Sequence, residues 1–182
     1  MDSQHTGTPL GATFSLGFAE LSVFVDDAGT VIASGFDSLD AIAAGRPYRR
    51  GDLPSNVTEA LEAWTNGDFG RLMDVPVWIT GTPKLVQLRE QLRKVPAGSV
   101  VTYGELADRA GLRYLPRLAG RACSENPCLL FVPCHRVVAA SHVGPPVVPG
   151  SYAATEGMKA QLLTHEGVSV REAKPRDESS GF

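Results

Sequence analysis

With 182 residues, of which 43% are hydrophobic and 20% charged, the chain has the composition of a globular protein with one core or two small lobes sharing an interface. Its three cysteines, Cys123, Cys128 and Cys134, are an odd number without a C-x-x-C pair, which argues against a disulfide framework and a zinc site. The N-terminus lacks the basic and apolar parts of a signal peptide, and no apolar stretch is long enough to cross a bilayer. The sequence therefore predicts a cytoplasmic protein without membrane contact.

The net charge of −3 is unevenly distributed along the chain. Residues 1–83 carry 4 basic and 11 acidic side chains, whereas residues 84–136 carry 9 basic and 4 acidic ones. A basic middle in an acidic chain fits a surface that faces phosphate groups, and it fits a solvated helix face rich in arginine equally well.

The chain opens with strand patterns. Residues 1–11 are expected to be a frayed end, and alternating apolar residues from Ala12 to Phe36 predict antiparallel strands with a turn at Asp27–Gly29. Ser38–Gly45 fits a short helix, and Arg46–Pro54 fits a polar connection.

Helical patterns follow in two segments. Apolar residues from Val57 to Trp64 recur at helical spacing. Thr82-Pro83 then predicts the N-cap and first turn of another helix, whose apolar stripe runs from Leu85 to Val95. Because the charge also changes sign here, we expect a first domain at residues 1–80.

The second half begins with a strong helix-start signal. Thr102 and Glu105 have the spacing of a capping box, and Gly111 is placed to end the helix. Pro116 opens a second predicted helix that ends near Glu125. Two short helices joined by a turn indicate a helix-turn-helix, although such pairs also occur in ordinary cores.

An apolar run then leads to the most reactive residues of the chain. Leu129–Val132 is predicted to be a buried strand that delivers Cys134 and the residues after it. Residues 141–151 fit a loop, Met158 to Glu166 fit a last helix, and residues 172–182 fit a polar, disordered tail.

Cys134 and His135 are adjacent, which is a pattern suited to nucleophilic chemistry. A thiol reacts well only as a thiolate, and a histidine acting directly or through water can remove its proton. The imidazole needs an orienting group, for which Glu166 is the candidate. The alternative for a cysteine after an apolar run is a small, inert core residue.

Four blocks of sequence resemble the methylated-DNA–protein-cysteine methyltransferases, also called alkylguanine-DNA alkyltransferases. The Asn126-Pro127 pair, the apolar run and Pro133-Cys134-His135-Arg136-Val137 are similar to the active-site signature of that family. Thr102-Tyr103-Gly104-Glu105-Leu106-Ala107 resembles the start of its helix-turn-helix, Arg117 falls at its inserted arginine, and His165-Glu166-Gly167 is similar to its closing segment. The resemblance covers about residues 81–170.

The resemblance implies an α+β fold. An N-terminal antiparallel β-sheet lobe with a helix, of the RNase H-like type, would occupy residues 1–80. A mainly helical lobe with the helix-turn-helix and the active site would occupy residues 81–171.

The resemblance also implies roles for the site residues. Cys134 would accept an alkyl group from 6-O-alkylguanine, and also from 4-O-alkylthymine, once and irreversibly. His135 would take the thiol proton through a water, with Glu166 orienting the ring, and Asn126 would fix the geometry of the turn. Three further residues would contact the flipped base, namely Tyr103 as a hydrogen-bond donor, the backbone near Val137 as a reader of the base edge, and Tyr152 as the pocket wall.

The implied partner is double-stranded DNA carrying an alkylated guanine, bound through the minor groove by a monomer associated with the nucleoid. Arg117 would fill the space left by the extruded base, and Thr102, Leu118 and Arg121 would contact DNA. No cofactor and no metal are implied.

Two other functions remain open at this stage. The chain departs from the family at Ala154-Thr155, at Lys84 and in the proline-rich loop, and related alkyltransferase-like proteins only sense damaged DNA. Those proteins replace the acceptor cysteine, whereas this chain keeps Cys134. A Cys-His-Glu hydrolase would need an oxyanion hole, which nothing in the sequence indicates.

Overall fold

A computed structural model of the chain describes residues 7–171. It has an antiparallel sheet in the N-terminal half and a mainly helical C-terminal half, which confirms the α+β fold class. The predicted tail at residues 172–182 and the first six residues of the predicted frayed end lie outside the described residues.

The sheet contains four strands in the order β3-β2-β1-β4. Its first three strands are antiparallel neighbours, as expected, and span β1 (Leu10–Ser15), β2 (Glu20–Val25) and β3 (Val31–Gly35). The turn before β3 forms because the Asp26 carboxylate accepts hydrogen bonds from the backbone of Ala28 and Thr30.

Two predictions about this region are wrong. Strand β1 already begins at Leu10, so the last residues of the expected frayed end are ordered by pairing. The connection from Arg46 to Pro54 contains a short strand, β4 (Arg49–Arg50), which pairs in parallel with β1. Local alternation could not indicate either feature, because both depend on a partner that is distant in sequence.

The first three α-helices are α1 (Leu39–Ala43), which precedes β4, and α2 (Ser55–Thr65) and α3 (Pro83–Leu92), which follow it. The apolar stripe of α2 is buried, including Trp64, which is 0% exposed. Thr82 stands at the N-cap of α3 but, within residues 7–171, its side chain makes no capping hydrogen bond. Pro83 at the first turn is as expected.

The helix-turn-helix consists of α4 (Tyr103–Arg109) and α5 (Pro116–Ser124). The predicted capping box is confirmed, since the Thr102 hydroxyl accepts from the Glu105 amide at 3.1 Å and the Glu105 carboxylate accepts from the Thr102 amide at 2.7 Å. These contacts satisfy two backbone donors at the start of α4 and fix its direction.

The segment Leu129–Val132 is a tight turn and not the strand that the sequence predicts. Its start pairs with β3 through the backbone, since the Leu129 amide donates to the Ser34 carbonyl at 3.1 Å, and the Ser34 hydroxyl also donates to the Leu129 carbonyl at 2.7 Å. The chain then reverses at Leu130, whose φ is +74°, and the Val132 amide donates to the Cys128 carbonyl at 2.9 Å. An apolar run indicates burial, but it does not distinguish a strand from a buried turn.

The last elements close the C-terminal half. Strands β5 (Val101–Thr102) and β6 (Val137–Val138) form a short parallel pair, and helix α6 (Met158–His165) packs against the turn that carries Cys134. A single cluster of buried side chains runs from Leu16 in the first half to Leu162 in α6. In the described part of the chain, no helix is long and apolar enough to cross a membrane.

Candidate active site

Cys134 lies at the end of a turn that the Asn126 side chain holds together. The amide group of Asn126 donates to the Val132 carbonyl at 2.8 Å and lies 3.2 Å from the Cys134 sulfur. Its oxygen accepts from the Cys128 backbone amide at 3.1 Å. One buried side chain therefore shapes the turn and directs a donor at the sulfur.

His135 and Glu166 meet in the core although 30 residues lie between them. Both are buried, and His135 Nε2 lies 2.9 Å from Glu166 Oε1. Since a carboxylate only accepts, we assign the proton of a neutral ring to Nε2, which leaves Nδ1 as the basic nitrogen. His135 Nδ1 is buried and has no hydrogen-bond partner among residues 7–171.

Glu166 is the acceptor at the centre of this buried network. Besides His135, it accepts from Arg136 Nε at 2.9 Å, from Arg136 Nη2 at 2.6 Å and from Trp64 Nε1 at 3.2 Å. Burial opposes ionisation, but the contacts with His135 and Arg136 prevail and lower the pKa of Glu166 to about 2. Burial in turn lowers the pKa of His135, against the attraction of Glu166, so the ring is neutral at pH 7.

Opposing effects of its surroundings act on the pKa of the Cys134 thiol. Burial raises the pKa of the thiol, whereas the Asn126 hydrogen bond and the positive charge of Lys159 lower it. Cys134 is 3% exposed, so the thiol is protonated at rest and needs a base when it reacts.

A cavity of about 370 Å³ opens beside the sulfur. Its size falls in the range of small-molecule pockets. Tyr103 at the start of α4 and Tyr152 form parts of its wall together with Cys134; the other lining residues are Gly120, Cys123, Ser124, Ser151, Ala153 and Lys159. Burial raises the pKa of both Tyr103 and Tyr152, so each phenol keeps its proton and can donate it.

The candidate DNA-contacting residues lie on or beside α5, with different surroundings. Arg117 is exposed one turn before the cavity-lining Gly120, and within the described chain its side chain makes no hydrogen bond or ion pair. Arg121 is bound to Glu125 at 2.8 Å, and Leu118 packs partly against the core. Thr102 uses its hydroxyl in the capping box.

The backbone of Val137 is occupied by contacts inside the protein. Its amide donates to the Cys134 carbonyl, and its carbonyl accepts from Lys159 Nζ at 2.6 Å. A base edge would share the carbonyl with Lys159, which its second lone pair allows, and the role of the backbone near Val137 stays a prediction.

Lys159 is a site residue that the sequence reasoning missed. It is 3% exposed and lines the cavity, and its second contact is the Ser151 carbonyl at 3.4 Å. The available signal was its position three and four residues before Leu162 and Leu163, on the apolar side of α6. Cys123 also lines the cavity, whereas Cys128 is fully buried.

A second, larger cavity of about 460 Å³ lies at the edge of the sheet, between β1, β4 and α2. The described residues that line it include Arg50 and Asp52 but no cysteine or histidine. The nucleophile, the base and its carboxylate partner therefore place the candidate active site at the cavity beside Cys134.

Comparisons with known proteins agree on one family. Residues 86–168 match the family described as the DNA binding domain of 6-O-methylguanine DNA methyltransferase. A DNA base-flipping protein of Thermus thermophilus is 37% identical over 122 residues, which cover 66% of this chain and 78% of the relative. A methylated-DNA–protein-cysteine methyltransferase of Saccharolobus islandicus is 36% identical over 97 residues, and the match spans 53% of this chain and 59% of that protein.

Solved structures share the fold. The O6-methylguanine-DNA methyltransferase of Pyrococcus kodakaraensis is 28% identical with a TM-score of 0.60, over 88% of this chain and 100% of that one. The O6-methylguanine methyltransferase of Mycobacterium tuberculosis has a TM-score of 0.67 at 22% identity, over 91% of this chain and 96% of that one. By its sequence, the chain belongs to the methylated-DNA–protein-cysteine methyltransferase family of DNA-repair proteins.

Proposed function

We propose that the protein transfers an alkyl group from 6-O-alkylguanine in DNA, and also from 4-O-alkylthymine, to the sulfur of Cys134. The observation that carries this proposal is that Cys134 lines a cavity while the adjacent His135 is bound to Glu166. Asn126 supports the role of Cys134, because a donor at 3.2 Å favours the thiolate.

The proposed reaction forms one bond and breaks one. His135 Nδ1 takes the thiol proton through a bridging water, and the thiolate attacks the alkyl carbon. The bond between that carbon and the guanine oxygen breaks, and its electron pair stays on the base. Tyr103 donates its phenolic proton to the departing base, which offsets the developing negative charge, and the proton held by His135 returns through water to the phenolate. The products are unmodified guanine and a thioether on Cys134.

Formation of the thioether inactivates the protein after one transfer. A carbon–sulfur bond of this kind is inert toward the residues of the site, so each molecule is consumed by one transfer. No cofactor takes part in these steps, because the cysteine itself is the second substrate.

DNA binding follows from the same surface. The alkylated base must leave the duplex to reach the cavity, at a cost of a few kcal/mol. Arg117 is exposed on the helix face that leads to the cavity, so we propose that it enters the minor groove as a monomer binds and occupies the vacated position. Thr102 and Arg121, near the two ends of the helix-turn-helix, would contact the DNA backbone.

A second candidate function is damage binding without transfer. The Thermus thermophilus relative is named a DNA base-flipping protein, and that name favours a related protein that extrudes a base without further chemistry. Cys134 distinguishes the two candidates, because transfer requires a nucleophile at this position.

Mass spectrometry after incubation with an oligonucleotide containing 6-O-methylguanine tests the proposal. We expect the peptide containing Cys134 to gain about 14 Da, the mass of one methyl group replacing a hydrogen. Cys134→Ala should take up no methyl group and keep its affinity for the same duplex. Unmodified wild-type protein that still binds the duplex would establish the second function instead.

A further inference from the structure

The carboxylate of Glu166 has a hydrogen-bond donor from the opposite half of the chain. Trp64 lies in α2, is 0% exposed, and its indole N–H donates to Glu166 Oε1 at 3.2 Å. The same oxygen accepts from His135 Nε2 at 2.9 Å and from Arg136 Nη2 at 2.6 Å. The oxygen that orients the histidine is therefore held from three directions.

A second contact fixes the backbone beside this carboxylate. The ring of His165, the residue before Glu166, stacks on Trp64 with centroids 4.4 Å apart, and its Nε2 lies 3.1 Å from the Trp64 carbonyl. Phe18 and Phe69 pack on the same histidine at 5.6 and 5.7 Å. Two consecutive residues at the end of α6, His165 and Glu166, are thus bound to Trp64 of α2.

We propose that Trp64 is a positioning residue for alkyl transfer, through which the N-terminal half of the chain holds the Glu166 carboxylate against His135. Trp64 does not touch the reacting atoms and is not a catalytic residue. The inference rests on the proposed function for its biological meaning, because it assigns Trp64 to the same Cys134–His135–Glu166 set.

The contact should determine how the site responds to acid. A carboxylate that loses a donor binds protons more tightly, so its own pKa rises, and it also attracts the His135 proton more strongly. Both changes protonate the His135–Glu166 pair at a higher pH than in the wild type, and a protonated His135 cannot take the thiol proton. The other charged or titratable groups near this pair are Arg136, Tyr152, Lys159, Cys134 and His165, and substitution of Trp64 leaves all five in place.

The test compares the wild-type protein with Trp64→Phe, which keeps an aromatic ring for packing and removes the N–H donor. The first readout is the pH dependence of iodoacetamide reaction at Cys134, followed by mass spectrometry of its peptide, since this reaction needs the thiolate but no DNA. We expect the acid limb of the profile to move by about one pH unit to higher pH, so that the rate on that limb falls roughly tenfold. Methyl transfer from a 6-O-methylguanine duplex should show the same shift.

Phe69→Leu is the matched control, because Phe69 packs on Trp64 and His165 but has no donor that could bind Glu166. This variant should melt at a lower temperature and keep the wild-type pH profile. An unshifted acid limb in Trp64→Phe, or an equal shift in Phe69→Leu, would overturn the inference. If Trp64→Phe does not fold, benzothienylalanine at position 64 gives the same comparison, with sulfur in place of the N–H group.

The two proposals fail separately. A wild-type protein that takes no methyl group from DNA, together with a shifted iodoacetamide profile in Trp64→Phe, would reject alkyl transfer and retain the positioning role. Normal methyl transfer by the wild type, together with an unshifted iodoacetamide profile in Trp64→Phe, would retain alkyl transfer and reject the positioning role.

Discussion

The side chain of Asn126 holds the active-site turn together and also binds the nucleophile. Its amide group closes the turn onto Val132 at 2.8 Å and also faces the Cys134 sulfur at 3.2 Å. The donor counteracts the burial that raises the pKa of the thiol. A change at this residue therefore affects the shape of the site and the ionisation of its nucleophile together.

Asn126→Ala should slow single-turnover methyl transfer roughly thirtyfold, since a hydrogen bond to a charged group contributes about 2 kcal/mol. Rapid-quench kinetics with a 6-O-methylguanine oligonucleotide measures the rate. Ser124→Ala, also at the cavity wall but with its hydroxyl on the Arg121 carbonyl, should react like the wild type. A wild-type rate in Asn126→Ala would contradict this role.

Arg117→Ala should slow transfer from duplex DNA far more than transfer from the free base, because only the duplex requires extrusion. Transfer rates with a 6-O-methylguanine duplex and with free 6-O-methylguanine provide the comparison. Arg113→Ala is the control, since Arg113 is also exposed but lies over the ring of Tyr114. Equal slowing on both substrates would exclude the extrusion role of Arg117.

The residues that could be proposed from sequence are those that carry a local pattern. Cys134 and His135 are neighbours, and Asn126 and Glu166 stand in short motifs. Lys159 and Trp64 could not be proposed in the same way, because each acquires its role through a contact with a distant segment. Burial of Lys159 in particular depends on carbonyls that the fold brings to it.

At the scale of elements, α3 is linked through Arg89 to the end of α5 and to the segment that precedes α3. Arg89 donates to the carbonyls of Thr80, Ala122 and Glu125 at 2.6, 3.1 and 2.7 Å. Two of these carbonyls end α5, directly before Asn126. The position of the active-site turn thus depends on an arginine in a helix that does not line the cavity.

Arg89→Met should lower the free energy of unfolding by about 3 kcal/mol, because it leaves buried carbonyls without their donor. Urea denaturation followed by circular dichroism measures the change. Lys84→Met, an exposed substitution in the same helix, should have little effect. A loss of less than about 1 kcal/mol in Arg89→Met would show that these contacts are dispensable.

The sequence predicted those secondary-structure elements that depend on a local residue pattern. It did not predict those that depend on pairing with a segment distant in sequence. The capping box at Thr102 and Glu105 and the helical stripe of α2 were readable from the sequence. The short strand β4 and the reversal at Leu130 were not, since both are imposed by tertiary neighbours. The domain boundary near residue 80 stays a prediction.

Across the whole molecule, stability should depend on pH through Glu166. Its pKa is about 2 in the folded chain against an ordinary value of 4.5, so its stabilising contribution is complete above pH 4.5 and is lost as the pH falls toward 2. The difference corresponds to on the order of 3 kcal/mol. The cause is the surrounding set of donors, mainly His135 and Arg136.

Comparing the wild type with Glu166→Gln isolates this contribution. The free energy of unfolding of the wild type should fall more steeply than that of Glu166→Gln between pH 4.5 and pH 2, as measured by urea titrations at each pH. Glu156→Gln, at an exposed position, should follow the wild-type curve. Parallel curves for the wild type and Glu166→Gln would contradict the assignment.

The indole of Trp64 also gives the protein an optical reporter of its own. The chain has 2 tryptophans, and the other, Trp78, packs in a separate cluster with Phe24 and Leu39. With Trp78 replaced by phenylalanine, the emission spectrum would come from a chromophore within 3.2 Å of the Glu166 carboxylate. Changes in the charge or position of that carboxylate could then be followed in real time, without a label and without altering the cysteine.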